Sequence, residues 1–192
     1  MDDRLYAFLK YTAIALGLLW LGWTAYDGLF AQREPGDNAY LAGNRAFKDG
    51  AYERALAAYE DALATDAGHL HALRGKARAL MQLGRDEAAL AAYDRAIGRA
   101  PAFGPAYANR GILNDRMGRH RQALADYERA LELEPELAQG PGWLTRFLRN
   151  QPEKPPTIAE RAAYLRTELA KPEDERLLRL KEADNAQKPY EM

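Results

Sequence analysis

The side chains able to carry chemistry are few. There is no cysteine in the chain, so thiolate catalysis, disulfides and cysteine metal sites are excluded. Three histidines remain: His69, His71 and His120. His69 and His71 stand two apart and could share a metal on an extended turn, but no third ligand accompanies them. His120 is expected on a surface, at the start of a helix. No serine, histidine and aspartate can be grouped into a nucleophilic triad, and no glycine-rich phosphate loop follows a strand. The carboxylates are scattered, often near arginine at helical spacing, as on solvated helix faces. The chain therefore reads as a non-enzyme with no cofactor and no metal. Its formal net charge of −1 lacks the basic excess that phosphate binding requires, which argues against a nucleic-acid partner.

What such a chain can do depends on its elements, and the first is apolar. No charge occurs from Tyr11 to Tyr26, and extending back past Lys10 to Leu5 gives 22 residues. As a helix this is roughly 33 Å long, close to the hydrocarbon thickness of a bilayer. Tyr6, Phe8 and Tyr11 gather at one end and Trp20, Trp23, Tyr26 and Phe30 at the other, an arrangement suited to two membrane interfaces. Leu29 and Ala31 make a poor cleavage site, so residues 1–31 are read as a retained transmembrane anchor rather than a signal peptide. Arg4 and Lys10 precede the span, and Arg33 follows beside Glu34 and Asp37. The positive-inside rule then places the N-terminus in the cytoplasm and the remainder outside. An Ala- and Arg-rich, Lys-poor composition points to a bacterial source, for which outside an inner membrane is the periplasm.

Beyond the span the chain repeats itself. Gly50, Gly84 and Gly118 are 34 residues apart, as are Ala55, Ala89 and Ala123; Tyr59, Tyr93 and Tyr127; and Ala62, Ala96 and Ala130. Leu63, Ile97 and Leu131 keep the period, Ala67, Pro101 and Pro135 close each unit, and Gly43, Ala77 and Gly111 place a small residue near each start. Each unit reads as two helices. The small residues allow close approach, the tyrosine fills the space between units, the glycine ends the first helix, and the proline stops the second. One such hairpin cannot bury its apolar face alone, but three stacked hairpins share a continuous core.

These positions resemble the tetratricopeptide repeat (TPR) family over residues 36–137, in units 36–69, 70–103 and 104–137. Unit three matches best, with Tyr107, Asn109, Arg110, Gly111, Gly118, Ala123, Leu124, Tyr127, Ala130 and Pro135 in the family pattern. The resemblance implies an all-α solenoid whose first helices line a groove for peptides or partner helices. Carried onto this chain, the groove residues are Tyr40, Asn44, Phe47 and Lys48, then Arg74, Arg78 and Met81, then Asn109, Ile112 and Arg116. That mixture of cations, amides and apolar groups suits an acidic or amphipathic peptide. Some members of the family grip a C-terminal carboxylate with a Lys/Asn/Arg clamp. Here only Asn44 falls on such a position, and Tyr40, Gly75, Pro105 and Asn109 occupy the others.

After the repeats, Trp143, Leu144, Phe147 and Leu148 share one helical face, so 138–150 is expected to be a capping helix that opens after Pro141. Residues 151–192 then form a Pro-hinged tail. Thr157 and Glu160 form a capping-box signature for a helix to about Lys171, with Ile158, Ala162, Leu165 and Leu169 on one face. Pro172 is expected to start another helix bearing Leu177, Leu178 and Leu180. The expected whole is an all-α chain: a single membrane helix, a three-repeat solenoid, then capping helices. Its expected work is as a membrane-anchored scaffold for protein partners, with a permanent structural subunit or a transient assembly factor as the two alternatives.

Overall fold

The computed structural model describes residues 3–30, 35–140 and 156–179. Among these, every regular element is helical, and they fall into two units, one ending at Glu34 and one starting at Pro35.

The first unit is a single helix, α1 (Asp3–Phe30). Its stretch Arg4–Tyr26 is long and apolar enough to cross a membrane. Leu16, Leu19, Trp20 and Trp23 are all exposed. Its two threonine hydroxyls are satisfied within the helix, Thr12 donating to the Phe8 carbonyl and Thr24 to that of Leu21, each at 2.9 Å. Such back-bonding hides a polar group that lipid cannot solvate.

The second unit is built from hairpins: α2 (Asp37–Lys48) with α3 (Tyr52–Thr65), α4 (Leu70–Gln82) with α5 (Asp86–Arg99), and α6 (Gly104–Arg116) with α7 (His120–Leu133). Gly50, Gly84 and Gly118 adopt φ of 74°, 69° and 76°, the left-handed turn that lets each first helix end and reverse. The core is continuous through all three hairpins. At its centre lie Tyr59, Tyr93 and Tyr127, and burying a side chain of this size contributes about 1.5–3 kcal/mol. Tyr59 sits between Gly43 of its own hairpin and Gly75 of the next. A Cβ at either glycine would come within 2.6 or 2.5 Å of the ring.

A polar ladder follows the same period. Glu60 accepts from Lys76 at 2.7 Å, and 34 residues later Asp94 accepts from Arg110 at 2.6 Å. Each pair links the second helix of one hairpin to the first helix of the next.

The far end is covered by α8 (Ile158–Leu169), which packs on α7 and buries Ile158, Ala162 and Leu165. Its start is the expected capping box: Thr157 Oγ1 accepts from the Glu160 amide and the Glu160 carboxylate accepts from the Thr157 amide. Glu128, one further period along the ladder, pairs with Arg166 of α8 at 2.8 Å. Thus α8 stands where the first helix of another hairpin would stand.

Residues 141–155 and 180–192 lie outside the described residues, and with them the 138–150 helix beyond Gly140, Trp143, Phe147, most of the hinge, and Leu180. The second tail helix is corrected. After Pro172 the chain makes one 3-10 turn, Glu173–Glu175, and residues 176–179 are non-helical. Side chains of α8 take the backbone groups a helix would need. Glu168 accepts from the Leu177 amide at 2.8 Å, Tyr164 donates to the Leu177 carbonyl at 2.5 Å, and Arg161 donates to the Leu178 carbonyl at 2.9 Å.

Candidate functional site

Within the array α2 packs on α4 and α4 on α6, whereas α3, α5 and α7 make no comparable contact with one another. The first helices therefore form the inner, more crowded side of the stack, and their solvent-facing side chains share one surface. On it Tyr40, Asn44, His71, Arg74, Gly75 and Arg78 line a polar depression between the first and second hairpins.

Aromatic rings hold its cations. The Arg74 guanidinium lies 3.9 Å from the centroid of Phe103, and that of Arg78 lies 4.5 Å from the centroid of Phe47. Stacking of this kind orients a guanidinium plane. Burial of Arg74 pulls its pKa below the usual guanidinium range, and the neighbouring Tyr40 hydroxyl opposes that shift. Tyr40 itself packs beside Tyr59, His69 and His71, with ring centroids 6.1, 5.4 and 5.6 Å away. Asn44 turns its Oδ1 inward to accept from the Tyr59 hydroxyl at 2.8 Å. Burial pushes that hydroxyl up to about 12. Farther along, Arg116 is exposed and donates to the Met81 carbonyl at 3.3 Å, so its side chain reaches back over the end of α4.

The expected groove residues thus divide. Tyr40, Asn44, Arg74 and Arg78 converge on the depression, Phe47 supports it, and Lys48 and Arg116 are exposed beyond it. Met81, Asn109 and Ile112 are buried, Met81 and Ile112 within the core, and Arg74, though it lines the depression, is buried as well. The reason is curvature: helices on the inner side of a tight stack touch one another, so part of their inward face becomes packing surface. Sequence reasoning missed His71 and Phe103. Phe103 occupies the N-cap position of α6, which His69 holds in α4, and the period could have drawn attention to it.

Two of the three histidines have structural roles. His69 is buried and caps α4, its Nδ1 accepting from the Ala72 amide at 3.2 Å. That bond leaves Nε2 to carry the proton it shares with Asp37 at 3.1 Å. His120 is not the surface residue expected. It is largely buried, with Nδ1 3.0 Å from Asp115 Oδ1.

Comparison with known proteins agrees with this geometry. Tetratricopeptide repeats match at residues 46–109 and again at 104–137. No curated protein matches the chain. Among solved structures, the first TPR domain of Spaghetti (RPAP3), bound to the HSP90 peptide SRMEEVD, is 25% identical, with 67% of this chain and 94% of that chain covered and a TM-score of 0.53. Its second TPR domain, bound to the same peptide, is 29% identical, with 53% and 94% covered and a TM-score of 0.51. MamA, at 20% identity with 68% and 73% covered and a TM-score of 0.53, shares the fold. The 34-residue register, the glycine turns, the interlocked tyrosines and these likenesses converge: residues 46–137 of the chain are tetratricopeptide repeats.

Proposed function

We propose that this protein is a membrane-anchored adaptor that holds an acidic or amphipathic segment of a partner protein along the inner face of its repeats. The observation carrying this reading is the polar depression of Tyr40, Asn44, His71, Arg74 and Arg78, whose cations are fixed on aromatic rings before any partner arrives. Prefixed guanidiniums lose little entropy on binding and favour carboxylates in a forked geometry. The likeness to domains solved with an acidic peptide supports the same use. The terminal clamp of some relatives is not the mode proposed, since Asn44 is engaged by Tyr59 and Gly75, Pro105 and Asn109 are buried.

Membrane attachment rests on α1, whose apolar length suits a bilayer. With Arg4 and Lys10 ahead of the span, we place the N-terminus in the cytoplasm of a bacterium and the repeats on the outer side of its inner membrane. There the adaptor recruits or braces a partner in a membrane complex.

Photocrosslinking in cells tests the groove. A benzophenone side chain in place of Lys48 or His71 should capture a discrete partner, while one in place of Arg121 or Gln122, exposed on α7, should not. Equal capture from both sets would defeat the reading. Because the chain has no cysteine, a single Gln122→Cys reports topology cleanly. Labelling by a membrane-impermeant maleimide in intact, outer-permeabilised cells is expected, and labelling only after lysis reverses the orientation.

A further inference from the structure

Three equivalent tyrosines meet three different fates. Tyr59, Tyr93 and Tyr127 occupy the same place in successive repeats, and all three are buried. The Tyr59 hydroxyl donates to Asn44 Oδ1 at 2.8 Å. That of Tyr127 donates to Asp115 Oδ2 at 3.3 Å. The Tyr93 hydroxyl has no hydrogen-bond partner among the described residues. The period explains why: the position matching Asn44 is Arg78, and the position matching Asp115 is Met81. Repeat two has replaced both acceptors that its neighbours use, one by a cation and one by a thioether.

A second donor nearby is in the same condition. Arg78 Nε is buried and also lacks an acceptor among the described residues. Buried donors without acceptors are uncommon in folded proteins because they lose their bonds to water and regain none. The charges acting on the Tyr93 hydroxyl are, in order, those of Arg78, Arg116 and Arg74, so the surroundings are wholly cationic. Among the described residues no carboxylate lies within ion-pair distance of Arg78 or Arg116, whereas the arginines of the outer ladder are matched by acids. Arg78 also lines the depression, so the same side chain belongs to both.

We infer that Arg78, the Tyr93 hydroxyl and Arg116 form a subsite for one carboxylate of the bound segment, supplied by an aspartate or glutamate side chain or by a peptide terminus. A carboxylate oxygen accepts from Tyr93 Oη and Arg78 Nε together, restoring the acceptor that Asn44 and Asp115 provide in the other repeats, and its charge offsets Arg116. The subsite fixes where along the groove an acidic residue must fall. This inference rests on the reading of the inner face as a peptide-binding surface.

The test uses the full chain in detergent micelles and fluorescent hexapeptide mixtures. At one position at a time the mixtures carry Glu or Gln, in two series with free or amidated C-termini. At one position Glu should bind on the order of tenfold tighter than Gln, as expected for charge-assisted hydrogen bonds. Arg78→Gln should abolish that margin, whatever it does to overall affinity, and Tyr93→Phe should reduce it about threefold without changing binding of the Gln mixtures. A preference in the amidated series assigns a side-chain carboxylate, and one confined to the free series assigns the terminus. Binding with no acidic preference, or a preference untouched by both substitutions, overturns the subsite and leaves the groove standing. No binding by any mixture overturns both. Tyr93→Phe removes one oxygen and keeps the ring, so a lost fold does not confuse the result.

Discussion

Asp115 on α6 and Arg161 on α8 are 46 residues apart in sequence and meet as a two-point ion pair, Nε to Oδ2 at 2.6 Å and Nη2 to Oδ1 at 2.9 Å. Both are buried, and the same carboxylate also takes the Tyr127 hydroxyl and faces His120 Nδ1. This pair joins the last repeat to the helix that covers it. Removing Asp115 takes from Arg161 its two-point carboxylate and from Tyr127 and His120 the group they share, whereas removing Arg161 leaves Asp115 both of those partners. Asp115→Ala should therefore cost about 3–5 kcal/mol and Arg161→Met distinctly less. The double variant Asp115→Leu/Arg161→Met should recover most of the loss. Urea denaturation of all three variants in micelles checks the order, and equal costs for the two single variants would contradict it.

The tyrosine hydroxyls offer a contrast within one fold. Tyr59→Phe removes a bond to Asn44 and should destabilise by about 1 kcal/mol. Tyr93→Phe removes a hydroxyl that has no partner among the described residues and should be neutral or stabilising by up to about 1 kcal/mol. Denaturation midpoints without ligand decide this, and a larger loss at Tyr93 than at Tyr59 would refute it.

Glycine-to-alanine changes should have opposite signs at two sites. At Gly75 a Cβ would lie 2.5 Å from Tyr59 Cε1, and the ring is trapped against Gly43 on its other side. Gly75→Ala should cost about 1–3 kcal/mol. At Gly98, inside α5, nothing lies within 4 Å of the added carbon, so alanine should stabilise by about 0.5–1 kcal/mol through helix propensity. Thermal melts of the two variants should shift in opposite directions.

Docking of the last described segment should depend on acid. Glu168 is held below its ordinary value of 4.5 by Lys171 and by the Leu177 amide. A carboxyl whose folded pKa is depressed adds stability that is fully present above the ordinary value and is lost as pH falls through the folded one. The stability gap between the native chain and Glu168→Gln should be flat above about pH 4.5 and narrow below it. A gap that widened on acidification would mean the Glu168 contacts are not formed.

Much of this protein could be read from residue order because a 34-residue period is a physical constraint rather than a statistical tendency. Gly50, Gly84 and Gly118 must turn left-handed wherever the units sit, and Ala55, Ala89 and Ala123 must be small because two helices cross there. The capping box at Thr157 and Glu160 was readable for the same reason: its bonds join residues three apart and need no distant partner. Contacts set by stacking could not be read. Arg166 answers Glu128 although it falls outside the register that paired Lys76 with Glu60. Residues 176–179 leave the helical state because α8 captures their backbone, a competition local propensity does not contain. Curvature turned Met81 and Ile112 from groove to core and brought Phe103 beneath Arg74. Residue order settled that the hairpins exist and repeat, since each depends on its own turns and small residues. Which inward-facing side chains remain open to a partner was settled only by the angle at which neighbouring hairpins pack.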